Sequence, residues 1–322
     1  MNGTRARFIG GKFVRLVVTL LIVTFMTTVL LSLTPGDPAA VMAGEINDPE
    51  VIAAINKEYG FTRPIHERYM DWLGNALNGD LGTSYFSKQP VVDAIKERLP
   101  VTLELAILST FIALVCAIPL AVACAKRPNS RFDRTVSGVT FAQVSLPSFV
   151  IALFLVYLFA VTFQVFPVLG YTPLSESVSE NLRSIALPVI SIAIGEMVAL
   201  QRVLRADLVA TTQEDYIALA RAKGLSTRTI MWKHALKPSS FSLLTLSGLS
   251  LARLLGGTVL VEQIFVLPGL GSYLITSINV KDLVAVQGVV TFIAIVFLVV
   301  NFFVDIMYGV LDPRTRTARA VA

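Results

Sequence analysis

Charge is scarce in this chain. Only 15% of its 322 residues are Asp, Glu, Lys or Arg, while 54% are hydrophobic. A water-soluble domain carries about 25% charged residues. The sequence therefore has too little polar surface for a soluble fold and reads as an integral membrane protein. Its mean hydropathy of +0.70 agrees. Cysteine is nearly absent: Cys116 and Cys124 share one apolar run. Eight helical residues rise about 12 Å, beyond disulfide reach. Histidine is equally rare. His66 and His234 fall in different segments, and no metal-ligand spacing surrounds either. No Gly-x-x-x-x-Gly-Lys-Ser/Thr loop occurs, since Gly10-Gly11-Lys12-Phe13 lacks the first glycine and the hydroxyl residue. That route to ATP binding is excluded. No nucleophile–base constellation suggests an enzyme, and neither a fixed-period repeat nor a low-complexity tract is present. The net charge of +5 comes from short basic clusters beside apolar runs. That pattern orients membrane proteins and does not suggest nucleic acid.

What is present is long apolar runs. A span needs about 20 mostly apolar residues. Six stretches qualify: 13–33, 101–124, 136–164, 184–206, 240–265 and 284–311. The first follows Arg5, Arg7, Lys12 and Arg15, as a secretory signal would, but it exceeds the ~7–15 residues of a signal's apolar region. An uncleaved first span is favoured. Basic residues also cluster at Lys126, Arg127, Arg131 and Arg134, from Arg202 to Lys237, and at Arg314, Arg316 and Arg319. These are the amino tail, the second-to-third loop, the fourth-to-fifth loop and the carboxyl tail. Both termini are therefore expected in the cytoplasm. The chain divides into a tail and first span (1–33), an extracytoplasmic segment (34–100), a core (101–314) and a short cytoplasmic tail (315–322).

Within the extracytoplasmic segment, Thr34-Pro35-Gly36-Asp37-Pro38 cannot continue a helix. Asp48-Pro49 starts a helix that Gly60 ends. A second helix starts near Pro64 and ends at Asn78-Gly79. A third amphipathic piece, with Val91, Val92, Ile95 and Leu99, stops at Pro100. Two roles stay open: a docking platform for an outside partner, or a cap over loops at the membrane surface. In the fifth span, Gly248, Ala252 and Gly256 recur at every fourth residue, a small face for close helix packing.

Ionisable residues inside spans are costly and usually face a bundle interior or an aqueous path. Glu196 lies near the middle of the fourth span and Arg253 near the middle of the fifth. Their depths differ by roughly 6 Å. They pair or both border a translocation pathway, or they form a structural pair with no substrate role. Glu104 and Glu262 lie near outer span ends and read as interfacial groups, with Glu262 also a pathway candidate. Asp305 lies toward the inner end of the last span.

A polar, basic island separates the fourth and fifth spans over 211–238. Thr211-x-x-Glu214 reads as a capping box. Ile217, Ala220, Arg221 and Gly224 then fall on one helical face. Gly224 ends this helix, Ser226 starts another, and Pro238 closes it. The spacing alone leaves two readings open: a compact plug for a soluble partner, or a loop lying on lipid headgroups.

The wording of the island resembles the coupling loop, or EAA loop, of ATP-binding-cassette importer permeases, specifically their peptide and nickel branch. The similarity lies in Asp215-Tyr216-Ile217-x-x-Ala220-Arg221-Ala222-Lys223-Gly224-Leu225 and His234-Ala235-Leu236. Thr34-Pro35-Gly36-Asp37-Pro38, Gly79-Asp80-Leu81-Gly82-Thr83-Ser84, Glu262-Gln263-Ile264-Phe265-x-x-Pro268-Gly269-Leu270-Gly271 and Asp312-Pro313-Arg314 are similar to the same branch. The chain departs from the general loop pattern at Ala218, where most importers have glutamate, and at Lys237, where they have proline. Any charge needed for coupling then falls to Glu214 or Arg221.

The resemblance implies an all-α polytopic membrane protein with six transmembrane helices, like the permeases of type I importers. It implies a second, similar permease, two cytoplasmic ATPases that bind the ATP and Mg, and an extracytoplasmic substrate-binding protein. No cofactor is expected in this chain. Glu214, Asp215, Tyr216, Ala220, Arg221, Lys223, Gly224, Leu225 and His234 would couple it to the ATPases. Oligopeptides or dipeptides are the implied substrates, with nickel or another small solute as the alternative. An ion-coupled secondary transporter is the rival of a different class, but the inverted repeat or broken helices expected of one are not visible.

Overall fold

The computed structural model describes residues 2–44 and 48–311, and side chains from Gly10 to Val304 within them. The fold is nearly all helical. The only pairing of extended backbone among the described residues is an isolated bridge between Thr83 and Pro90. Packing separates two compact units. One holds the residues up to Val101 and those from Pro268 onward. The other holds Thr102–Leu267.

In the first unit, α1 (Asn2–Leu33) packs along α14 (Leu283–Leu311) and touches α4 (Ile65–Leu77). Polar contacts fix the register of the long pair. Gln287 donates to the Thr24 carbonyl at 2.9 Å, and the Thr24 and Tyr69 hydroxyls meet at 2.9 Å. Local rules set the short helices. Asp37 caps α2 (Pro38–Ala43) and Asp48 caps α3 (Pro49–Tyr59), each with proline at the first helical position. Gly60, at φ +66°, ends α3 as expected. The turn after α4 is tied to α14. Ser84 hydrogen-bonds Asp282, whose other oxygen accepts from the Ala285 N–H at 3.1 Å. Val91, Ile95, Leu270, Ala285 and Val289 form the unit's apolar core.

Pro100 does not stop the third amphipathic piece. That piece is the start of α5 (Val91–Lys126), which runs unbroken through the proline. A mid-helix proline costs about 3 kcal/mol. Val91, Ala94, Ile95, Val101, Leu105 and Ala106, buried on both sides of it, make enough packing contacts to offset that.

In the second unit, α8 (Val178–Thr211) packs against α11 (Leu236–Gly257), α6 (Arg131–Val144) and α7 (Ser148–Leu155). Among the described residues, five helices are long and apolar enough to cross a membrane: Gly10–Leu33, Val91–Lys126, Val178–Thr211, Thr227–Gly257 and Leu283–Val304. The expected third span is not one straight helix. It breaks at 145–147, and α6 meets α7 and its π-helical continuation Val156–Thr162 at 99°. Each arm rises only about 21–23 Å, short of the ~30 Å hydrocarbon core. The pair completes six spans only when counted as one. Pro147, which cannot extend a helix behind it, sits at the break.

The second core is built from small side chains on α5 (Ala113, Ala117, Ala121) against Leu200, Leu204 and Leu208 of α8. The small face expected on the fifth span is used in part: Ala252 is buried, Gly248 half-buried and Gly256 exposed. Where α6 begins, the buried Asp133 carboxylate accepts two bonds from the Arg205 guanidinium, each 2.5 Å, and one from the Asn129 N–H at 2.8 Å. This fork ties α6 to α8. Arg205→Met strands a buried carboxylate, which costs about 3 kcal/mol or more. Thermal unfolding in detergent should show a clear drop in midpoint, largely recovered by Asp133→Asn in the same chain. A midpoint unchanged by Arg205→Met contradicts this role.

Candidate coupling loop and translocation cleft

The island between α8 and α11 folds as a small knob. Thr211 is the last residue of α8 rather than a cap, and its hydroxyl lies 3.0 Å from that of Ser239. Glu214 occupies the N-cap position of α9 (Asp215–Ala222) but its side chain makes no capping bond. The expected capping box is therefore not formed: α8 extends far enough to take Thr211 away from it. Asp215 in the first turn and Arg221 in the last both complement the helix dipole. Gly224, at φ +77°, ends α9. The Leu225 N–H reaches the Ala220 carbonyl at 3.2 Å and the Gly224 N–H reaches that of Arg221 at 2.9 Å, a Schellman closure.

Ser226 then caps α10 (Thr227–Thr229). The chain stays helical from there to Gly257, through wider π turns at Ile230–Ala235. Pro238 does not close the second helix. It lacks the N–H that the His234 carbonyl would accept, and the preceding turns widen to accommodate it. The Tyr216 hydroxyl lies 3.5 Å from that carbonyl. Burial, then Glu214, push the Tyr216 phenol above its ordinary pKa, so it remains a donor at neutral pH.

The expected stripe on α9 divides. Ile217 and Ala220 turn inward and pack on Ile230, so Ala220 is not on the outward face. Arg221, Lys223 and Gly224 are exposed, as are Glu214 and Asp215. His234 is partly covered. The outward face is more apolar than the reading of the sequence held: Leu219 is 56% exposed, Tyr216 45%, and Leu225 is open too. Leu219 was missed. Its signal was the three-residue spacing from Tyr216, on the face opposite Ile217.

In the same unit, Arg253 donates to Glu196 at 2.6 Å. The expected pair exists, and it is lopsided. The Glu196 side chain is 7% exposed and that of Arg253 62%. The second Glu196 oxygen is buried without a partner. Both residues line a cleft of about 440 Å³, together with Gln143, Ser148, Arg202 and Gly257. The break in the third span supplies one wall of it.

Glu262 is not interfacial and does not line this cleft. It is fully buried, accepting from the Thr102 hydroxyl at 2.9 Å and the Thr258 hydroxyl at 2.8 Å. The fifth span ends at Gly257, and the short α12 (Val259–Ile264) carries Glu262 back against α5. Glu104 accepts from Tyr171 at 2.9 Å, and burial, then Glu104, push the Tyr171 phenol up to about 12. The Asp312-Pro313-Arg314 motif and the basic carboxyl tail lie outside the described residues.

The sequence is 40% identical over 297 residues to a Brucella abortus (strain 2308) chain named for a peptide transport system permease, covering 92% of this chain and 95% of that one. The oligopeptide transport system permease protein AppB of Bacillus subtilis is 34% identical, covering 92% and 94%. The di/tripeptide transport system permease protein DppB of Pseudomonas aeruginosa is also 34% identical, covering 97% and 99%. A solved chain of the methionine ABC transporter MetNI, in an inward-facing form, shares the fold at a TM-score of 0.54 and 18% identity. It covers 69% of this chain and 97% of that one. Residues 5–106 match the amino-terminal family of binding-protein-dependent transport membrane components. Residues 117–317 match the family described as binding-protein-dependent transport system inner membrane component, and the chain belongs to that family.

Proposed function

We propose that this chain is the permease subunit of an ATP-driven importer that carries oligopeptides or dipeptides across a prokaryotic plasma membrane. It pairs with a second, similar permease. Two cytoplasmic ATPases bind ATP and Mg and seat on the two coupling loops. A binding protein outside the membrane delivers the substrate. Both termini and the 211–238 loop lie in the cytoplasm in this reading, which the basic clusters support. The substrate class follows the names of the relatives. The observation that carries the coupling role is the knob itself. Its core of Ile217, Ala220 and Ile230 is satisfied internally, while Tyr216, Leu219 and Leu225 stay open beside Glu214, Arg221 and Lys223. Apolar residues rimmed by charge suit a protein groove better than lipid headgroups. The ATPases close on binding ATP, and the two arrangements of the spans shift in population with them.

The cleft bearing Glu196 and Arg253 is the proposed stretch of translocation pathway in this subunit. An exposed guanidinium suits a peptide carboxylate. The unpartnered Glu196 oxygen suits a peptide ammonium.

Three outcomes check this reading. In proteoliposomes holding the full complex, labelled peptide uptake should require ATP, fall with competing peptides and ignore nickel ions. Competition by nickel alone would point to a metal-ion importer. Leu219→Glu should reduce co-purification of the ATPase about tenfold or more, the effect of losing one well-buried apolar contact or more, with membrane insertion unchanged. It is a cleaner probe than Gly224→Trp, which also strains a left-handed backbone position. Normal co-purification would remove the knob from the contact. Arg253→Met should lower peptide uptake at least about tenfold while the ATPases still assemble. Full uptake would leave the Glu196–Arg253 pair a structural one.

A further inference from the structure

The first unit contains a polar cavity whose lining includes no residue of the coupling loop or of the cleft. It measures about 170 Å³ and lies where the last turn of α1 meets the first turn of α14. It adjoins a space of about 400 Å³ that shares Tyr59, Trp72, Tyr85 and Val284 with it. Its charges are unbalanced. Arg63 is paired with Asp71 at 2.7 Å and with Glu67 at 3.4 Å. Arg68 is half-buried and makes no ion pair or side-chain hydrogen bond among the described residues. Its guanidinium lies 5.8 Å from the Phe61 ring centre. Lys88, which lines the adjoining space, meets the Tyr59 hydroxyl at 2.7 Å and no carboxylate among the described residues. Burial of a guanidinium without a counter-charge is costly, and Arg68 is lowered in pKa by that burial.

Two further groups are left open at the same place. Gln287 is 5% exposed and donates to the Thr24 carbonyl, but its Oε1 has no partner. Tyr85 makes no side-chain hydrogen bond among the described residues. Burial pushes its phenol up to about 12, so it holds a proton to donate. The cavity thus offers a cation, a phenol donor and a buried acceptor.

We propose that this cavity binds the phosphate of an anionic glycerophospholipid, with phosphatidylglycerol the best match. Arg68 and Tyr85 hold the phosphate oxygens. Gln287 Oε1 accepts from a hydroxyl of the headgroup glycerol. The position favours a lipid over a free anion. Leu31 and Ser32 end one membrane-crossing helix, and Leu283 and Val284 begin another, so the cavity sits at headgroup depth. Tyr59, Trp72 and Tyr85 are the aromatics of that layer. Leu30 and Leu33 of α1 are exposed and offer a surface for acyl chains. A free phosphate or a peptide carboxylate would use Arg68 and leave this apolar rim uncovered.

The test uses the full chain in detergent, given equal amounts of phosphatidylglycerol and phosphatidylcholine, with retained lipid counted by native mass spectrometry. Phosphatidylglycerol should be retained about tenfold more, because both lipids offer the phosphate but only its glycerol gives Gln287 a hydrogen bond and only choline sets a cation beside Arg68. Arg68→Met and Tyr85→Phe should each lower the amount of phosphatidylglycerol retained. Gln287→Leu should reduce retention of phosphatidylglycerol but not of phosphatidic acid, which has no glycerol headgroup. Tyr85→Phe removes one oxygen and decides the matter if Arg68→Met does not assemble. Unchanged phosphatidylglycerol retention in Tyr85→Phe overturns the proposal. Displacement of the lipid by inorganic phosphate, or by a blocked dipeptide carboxylate, overturns it as well.

Discussion

Three buried side chains, Ile217, Ala220 and Ile230, hold the knob between the fourth and fifth spans to the helix that continues into the membrane. Remove that contact and α9 is a short polar helix with nothing to fix its angle. Isolated helices of eight residues do not persist in water. With the contact in place, the knob is seated on a single helical run, Thr227–Gly257. That run rises about 46 Å and carries Arg253 near its far end. A force applied at Leu219 or Arg221 therefore has a stiff path to the cleft. The π turns at Ile230–Ala235 keep the path helical across a proline that would otherwise break it.

The cleft depends on a second irregularity. The 99° bend at 145–147 turns Gln143 and Ser148 toward the same space as Glu196 and Arg253. The Asp133–Arg205 fork anchors the near arm of that bend to α8. An intramembrane ion pair with one oxygen left over is poorly explained by stability alone, since replacing buried pairs with apolar residues is often neutral or better.

Much of this was legible in the sequence. Hydropathy located the five long apolar helices because backbone groups in lipid must be satisfied within helices. Asp48-Pro49, Gly60 and Gly224 marked their helix ends because caps and left-handed turns are local chemistry. The pairing of Glu196 with Arg253 followed from depth along two helices. The errors fell at prolines, at the Thr211–Glu214 capping box, at the inward face of α9 and at Glu262. Pro100 and Pro238 read as stops, yet neither ends its helix: packing outweighs the break at one and wider turns absorb it at the other. Pro147 was read through, and it breaks. What a proline does depends on neighbours distant in sequence. Ala220 read as outward because a small residue on a stripe looks the same whether its partner is another chain or Ile230. Glu262 read as interfacial because the turn from α11 into α12 was invisible to a hydropathy pattern.

The central claim is that the knob and the fifth span move as one body. Spin labels at Lys223 and Leu244, both exposed, report the distance between them. In the assembled complex, with and without ATP, a rigid link predicts the same distance distribution in both states. A shift of a helical turn or more, about 5.4 Å, would show that the knob swings independently of the span and would contradict the claim.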